Sequence, residues 1–465
     1  GAVGARLLAS TGRSVICEVP PDRWELAAAA SDDAIGQRIR HGGFLRDADL
    51  FDNAFFSVSP AESAAMDPQQ RLLLEHGYAA LLAAGLERGA LMGGGTGVFL
   101  GIAAADWYDI VKASPMSRSV YAATGSSRSI AAGRISFVLG LQGPCVSYDT
   151  ACSAALAANH AALRALQMEE CPDALVAGVS LVLLPEVSIN FATAGMTSAT
   201  GSCKTFDRRA DGYARGEAIS AFGLQAQAGE GGLSASILGS CVRQDGRSAS
   251  LTAPNGQAQR SLLEAALSDA STAASAVCCV GAHGTGTPLG DPIETRSMAA
   301  AVLAARGGAA EPAIGSIKAN AGHAEPAAGS SGLLRLALGL TGLEAAPNAQ
   351  LRVLNPHVSS ALEGASGALP TQLVTTPQMR GDAGTAAGGV SSFGYSGTIV
   401  HAVAQSESPL AALAVDGLRE GLSYARRHYG WRETPHPLAQ RRLERVESGV
   451  SAVLRSEVEG ALRAL

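Results

Sequence analysis

The chain has little charge of either sign. Charged residues make up 16% of its 465 and balance to a net −6, so it has no basic field with which to grip a phosphate backbone, and nucleic acid is excluded as a partner. The nearest thing to a basic patch, Ala425-Arg426-Arg427-His428, is short and reads as a solvated face. No apolar run approaches the roughly 20 residues that a membrane helix needs, and the first residues lack the charged-then-apolar layout of a secretory signal. The eight cysteines are scattered with no CxxC pair, which argues against a zinc site or a disulfide framework and points to a reducing compartment, the cytoplasm. There is no G-x-S-x-G run, and Gly93-Gly94-Gly95-Thr96-Gly97 lacks the Lys-Ser/Thr that holds phosphate and metal; a nucleophile-elbow hydrolase and a P-loop enzyme are set aside. Because the chain starts at Gly1 rather than Met, it is expected to be a fragment, and a removed organelle-targeting leader stays open.

What is present is an α/β pattern. At 47% hydrophobic the chain can bury a large core, and apolar β-like runs such as Ala174-Leu175-Val176-Ala177-Gly178-Val179 alternate with Ala/Leu-rich helical stretches. A soft boundary at Gln227-Ala228-Gly229-Glu230-Gly231-Gly232 separates two strand-and-helix halves, residues 1–230 and 231–404. Residues 405–465 differ in character: Tyr429-Gly430-Trp431-Arg432-Glu433-Thr434-Pro435-His436-Pro437 reads as an extended linker. Leu443, Val446, Val450, Val453, Leu454, Val458, Leu462 and Leu465 then recur at helical spacing, an amphipathic helix that either docks on the body or meets another protein.

Three segments carry chemistry. In Val146-Ser147-Tyr148-Asp149-Thr150-Ala151-Cys152-Ser153-Ala154, a β-prone stretch gives way at once to a helical one, which puts Cys152 at a helix N-terminus, where free N–H groups and the helix dipole favour thiolate over thiol. His283 follows the apolar run Ala276-Val277-Cys278-Cys279-Val280 within Gly281-Ala282-His283-Gly284-Thr285-Gly286-Thr287, so it ends a strand in a loop. His323 lies in Ile314-Gly315-Ser316-Ile317-Lys318-Ala319-Asn320-Ala321-Gly322-His323, shortly before the helical run that starts near Gly332. A cysteine and two histidines at strand junctions occupy the places where α/β folds put their chemistry.

These segments together resemble the β-ketoacyl synthase family, and specifically the ketosynthase domain of type I polyketide synthases. The likeness extends over roughly residues 15 to 404. It includes Glu18-Val19-Pro20-Pro21-Asp22-Arg23-Trp24, Met66-Asp67-Pro68-Gln69-Gln70-Arg71, Ile130-Ala131-Ala132-Gly133-Arg134-Ile135-Ser136, Lys204-Thr205-Phe206-Asp207, Asp211-Gly212-Tyr213-Ala214-Arg215-Gly216-Glu217 and Ser391-Ser392-Phe393-Gly394-Tyr395-Ser396-Gly397-Thr398.

The resemblance implies a thiolase-like fold, a five-layer α/β/α/β/α sandwich with two pseudo-symmetric halves. It implies that Cys152 takes an acyl chain from the phosphopantetheine arm of an acyl carrier protein, and that a malonyl-type extender on a second carrier then decarboxylates and attacks that thioester. His283 and His323 would hold the enolate by hydrogen bonds, with Lys318 in support at His323. The backbone N–H groups of Cys152 and Tyr395 would form a second oxyanion hole, and Thr285 and Thr287 would meet the pantetheine arm. No metal and no cofactor beyond the carrier's arm is implied. The partners are the carrier, a second copy in a homodimer and other polyketide synthase domains.

Four departures from the family pattern stand out. Tyr395 and Ile399 replace the usual Phe and Asn, and Pro326 follows Ala324-Glu325 where bacterial modular members more often lack a proline. Gly1 to Arg13 offers helix-like and small residues in place of a first hydrophobic strand, so a core strand of the first half is expected to be missing. A thiolase would use a second cysteine where this chain has His323. A non-elongating protein that binds carriers or partners without condensing them stays open, although its mark would be loss of the cysteine or a histidine, and all three are here.

Overall fold

In the computed structural model, residues 6, 8–29, 33–226, 235–307, 309–375, 386–406 and 422–432 are described. The boundary at 227–232 and the amphipathic stretch 443–465 lie outside them.

Two sheets form the frame. Sheet one is built from β1 (Gly97–Gly101), β2 (Cys145–Tyr148), β3 (Asp173–Ser180) and β4 (Ala218–Gln225), in the order β2-β1-β3-β4. Its first three strands run parallel and β4 antiparallel to β3. Sheet two has β5 (Ser236–Gln244), β6 (Val277–Gly281), β7 (Ala313–Gly315), β8 (Ala386–Phe393) and β9 (Thr398–Ser406), in the order β7-β6-β8-β9-β5. Here too the first three strands are parallel and β9 is antiparallel, so the halves repeat one plan. The position that β5 holds in sheet two has no counterpart among the described residues of sheet one.

Helices fill the other three layers. Helix α1 (Pro68–Ala83) begins where Asp67 accepts the Gln69 N–H and Pro68 supplies a preset φ. With α2 (Arg128–Leu139) it covers the outer face of sheet one. Helices α3 (Ala154–Gln167) and α6 (Ala328–Gly342) lie between the sheets and touch both, while α4 (Gly256–Asp269) and α5 (Gly290–Met298) close the far side. This is the five-layer sandwich. The middle layer is tightly seated: a Cβ on Gly101 in β1 would lie 2.3 Å from the Ala155 nitrogen, so only glycine lets α3 approach the sheet this closely. Leu156, Leu333, Leu336, Val390 and Val400 are all 5% exposed or less and form the core between α3, α6 and sheet two.

Residues 422–432, part of the expected linker, are fastened to the first half instead. Arg427–His428 pairs with Leu50–Phe51, the Ala425 N–H donates to Asp52, Arg426 pairs with Glu75, and Arg71 donates to the Tyr429 carbonyl. The aromatic rings of Tyr424 and Tyr429 give this segment an apolar face, which is why it packs rather than hangs free.

Candidate active site

The C-terminal ends of the parallel strands converge, and the chemistry gathers there. Cys152 follows β2 and lies two residues ahead of α3. The preceding Ala151 is in the left-handed region (φ 54°), a conformation that carries strain of about 1 kcal/mol or more for a residue with a Cβ and that turns Cys152 out of the strand line. His283 follows β6, and His323 follows β7 by way of the short helix Lys318–Ala321. Residues 325–327, which contain Pro326, form a 3-10 turn into α6.

The structure brings these residues together. His323 Nε2 lies 3.0 Å from Cys152 Sγ, and the two imidazole rings are 5.5 Å apart, centroid to centroid, nearly perpendicular. Their tautomers follow from their other contacts. The Phe393 N–H donates to His283 Nδ1 at 3.2 Å, and the Glu325 N–H donates to His323 Nδ1 at 3.3 Å. Each neutral ring must then carry its proton on Nε2. Burial, with Lys318 nearby, pushes both histidines well below their ordinary pKa, so both stay neutral at physiological pH. The site thus presents N–H donors rather than bases.

Lys318 is buried and donates to the His283 main-chain oxygen at 2.5 Å, and its charge acts on both histidines. Burial lowers its pKa, and Glu294 is the chief opposing influence. Sequence reasoning missed Glu294. On α5, it accepts the His283 N–H at 2.6 Å and the Gly284 N–H at 2.8 Å, so one carboxylate fixes the histidine's backbone and balances the lysine; burial pushes it up to about 7. Asp291 braces the same loop from below by accepting the Phe206 and Gly286 N–H groups. The signal was the acidic pair in Gly290-Asp291-Pro292-Ile293-Glu294, which looks like an ordinary first helical turn until the loop is folded onto it.

The N–H groups of Cys152 and Tyr395 both lie against the Cys152 sulfur and favour its charged form. Tyr395 is at the tip of the turn between β8 and β9, closed by Gly394 and Thr398. A Cβ on Gly394 would lie 2.4 Å from the Thr150 oxygen, so glycine allows this turn to reach the nucleophile. The Tyr395 ring is 47% exposed and meets Phe191 edge-on at 6.0 Å, whereas Ile399 is fully buried in apolar surroundings, where an amide would need partners. Thr285 is buried with its hydroxyl 3.3 Å from that of Thr287, and Thr287 accepts the Gly290 N–H.

One expectation needs correcting. The helix N-terminus was expected to favour the thiolate, but Cys152 is only 7% exposed, and burial pushes the thiol up to about 12, with Glu325 adding to the rise; Lys318 and the two N–H groups pull the other way without prevailing. The resting group is a thiol. The rate of acyl loading should therefore climb about tenfold per pH unit from 7 to 9, as the thiolate fraction grows. Quenched-flow loading measured across that range checks this; a plateau by pH 7 would show that the helix terminus outweighs burial.

The residues from 6 to 228 match the Beta-ketoacyl synthase, N-terminal domain, and those from 234 to 352 the Beta-ketoacyl synthase, C-terminal domain. The chain belongs to the β-ketoacyl synthase family, and within it to the ketosynthase domains of polyketide synthases. It is 41% identical over 427 residues to one protein of the phenolphthiocerol/phthiocerol polyketide synthase of Mycobacterium tuberculosis, covering 89% of this chain and 19% of that one. It is 40% identical over 420 residues to another protein of the same synthase, covering 89% and 27%. The chain thus spans about a fifth to a quarter of the length of these curated relatives. Among solved structures, a ketosynthase from module 6 of the bacillaene synthase of Bacillus subtilis 168, in a cysteine-to-serine mutant form, superposes with a TM-score of 0.79 at 33% identity, covering 88% of this chain and 70% of that one. An oxazolomycin ketosynthase domain from Streptomyces albus JA3453 gives 0.80 at 32%, covering 86% and 70%. Among the described residues no helix is long and apolar enough to cross a membrane, and no cluster of three or more His, Cys, Asp or Glu could hold a metal ion.

Proposed function

We propose that this chain catalyses decarboxylative Claisen condensation on carrier-bound substrates, extending an acyl chain held on Cys152 in polyketide or fatty acid synthesis. The observation that carries the reading is the meeting of one thiol, two imidazole N–H donors and two backbone N–H donors at one point. In the first half-reaction Cys152 sulfur attacks the acyl thioester of a carrier, the carrier sulfur leaves, and the cysteine proton ends on the carrier thiol. The Cys152 and Tyr395 N–H groups hold the tetrahedral oxyanion. In the second, a malonyl-type carboxylate leaves as carbon dioxide, and the enolate oxygen receives the Nε2–H groups of His283 and His323. Its carbon attacks the acyl-cysteine carbonyl, the Cys152 thiolate departs, and a proton from solvent restores the thiol. Neutral imidazoles suit this task, because an imidazolium would hand its proton to the carbanion. Thr285 and Thr287, beside His283, would line the approach of the pantetheine arm, and no cofactor besides that arm is needed. The setting is the cytoplasm, in keeping with eight free thiols.

Intact-protein mass spectrometry with a short acyl carrier substrate tests the reading: acyl mass appears on the native chain and is absent in Cys152→Ala. Loading that persists without Cys152 would sink the assignment, and loading without later condensation would favour a non-elongating protein.

A second copy would join at the free edge of β2. Cys145 there is exposed, Val146 is 39% exposed and the neighbouring Phe137 on α2 86% exposed, an open apolar strand edge of the kind that pairs with another chain. Sedimentation equilibrium should give a dimer for the native chain and a monomer for Val146→Lys; an unchanged dimer would place the contact elsewhere.

A further inference from the structure

Segments far apart in the chain meet around a small closed cavity on the flank of the active site. Trp24 comes from the end of the turn at 21–23, Arg38 and His41 from the end of the helix Asp33–Ile39, Ser188 from the helix Glu186–Thr193, and Thr197 and Arg215 from the loops that lead into β4. The cavity measures about 10 Å3, room for one occupant the size of a water molecule or a halide ion. Arg215 ties it to the chemistry. Its backbone bridges to that of His323, and its side chain pairs with Glu325, whose N–H fixes the His323 tautomer.

Three buried polar atoms of the lining have no partner among the described residues: Trp24 Nε1, Thr197 Oγ1 and His41 Nδ1. Trp24 is 6% exposed and Thr197 1%, so bulk water does not serve them. One orphaned polar atom is unfavourable, and three around one cavity call for a common occupant. What they offer is chiefly hydrogen. An indole N–H can only donate, a threonine hydroxyl can donate, and the Ser188 hydroxyl, which accepts from Arg215 Nη1 at 2.8 Å, keeps its own hydrogen to give. The charge balance points the same way. No carboxylate lines the cavity, Glu325 answers Arg215, and Arg38, which donates to the Thr197 carbonyl, has no acidic partner among the described residues. One positive charge is left over beside a cluster of donors.

We propose that this cavity binds a single halide ion, chloride being the common one. The Trp24 N–H and the Thr197 and Ser188 hydroxyls donate to it, and Arg38 supplies the balancing charge. A water molecule would fill the same space but leave Arg38 without a counter-charge. The ion fastens the start of the chain to the loop that carries Arg215, and so stiffens the backbone against which His323 is held. The role is structural, separate from acyl transfer.

Thermal melts of the full chain in sodium chloride, sodium bromide and sodium methanesulfonate at equal ionic strength test this, because methanesulfonate is an anion of the same charge that is too large for the cavity. Both halides should raise Tm by about 2 °C over methanesulfonate, and the rise should saturate with concentration. It should vanish in Thr197→Val, which keeps the shape of the side chain, and in Trp24→Phe, which removes the indole donor. The readout is the halide-dependent shift within each variant, so a variant that is simply less stable still reports. Crystals grown with bromide in place of chloride locate the ion, with an anomalous peak between Trp24 Nε1 and Thr197 Oγ1. Equal melts in the three salts, or a halide shift that survives in both variants, would overturn the proposal. So would a cavity peak without bromine signal, which would make the occupant water. None of these readouts involves acyl chemistry.

Discussion

His323→Ala is expected to lower condensation by roughly two to three orders of magnitude while Cys152 still takes up acyl groups, since loss of one oxyanion donor has an effect of that size. The reason lies in the tautomer. With the Glu325 N–H donating to its Nδ1, His323 holds its proton on Nε2, 3.0 Å from the Cys152 sulfur, and it has no free lone pair with which to take the thiol proton. It can stabilise charge in the pocket but is poorly set to deprotonate the nucleophile. His283→Ala should behave alike, because the Phe393 N–H fixes the same tautomer there. The decisive measurement is a split assay, acyl mass on Cys152 against carbon dioxide release and product from a malonyl carrier. If loading in His323→Ala falls in step with condensation, His323 acts as the base for Cys152 and the division of labour is wrong.

The three reactive side chains were legible because glycine and other small residues interrupt apolar runs around each of them, and such breaks mark where strands end and backbone can crowd. Spacing could place Cys152 before a helix; it could not tell how deeply the body would cover it, and that burial reverses the expected effect on the thiol. The hydrogen-bond partner of Lys318 was not legible for a related reason: along the chain it precedes His323, and its nitrogen reaches back to the His283 oxygen, 35 residues away. Glu294 showed only as one of an acidic pair in a first helical turn, since a helical carboxylate acquires its role only when a loop folds over it. The alternation of strands and helices was readable, whereas the stacking of two sheets about a shared helical layer came from the resemblance. The aromatic residues at 424, 429 and 431 were a clue to docking that the turn-forming residues around them obscured.

The largest stability effect is expected at Glu325. Arg215 and Glu325 are 110 residues apart in the chain and meet in a two-pronged pair, Nε to Oε1 at 2.5 Å and Nη2 to Oε2 at 2.9 Å, with side-chain exposures of 6% and 13%. Arg215 also donates to Ser188 Oγ, so it is held from two sides. Glu325→Ala would leave that guanidinium buried without its counter-charge, a change that costs about 3–5 kcal/mol, and the native φ of 46° remains unfavourable for alanine. Replacing both partners, Arg215→Met with Glu325→Met, should recover much of the loss, because the expense comes from the orphaned charge more than from the missing attraction. The same carboxylate helps to raise the Cys152 thiol, so its removal lowers that pKa and should shift the pH profile of acyl loading downward. Denaturant melts and loading profiles on Glu325→Ala and the double variant therefore read opposite signs from one residue: a less stable protein whose nucleophile ionises more readily. A melt unchanged by Glu325→Ala would mean that the pair is solvated, and a loading profile that does not move would remove Glu325 from the electrostatics of the nucleophile.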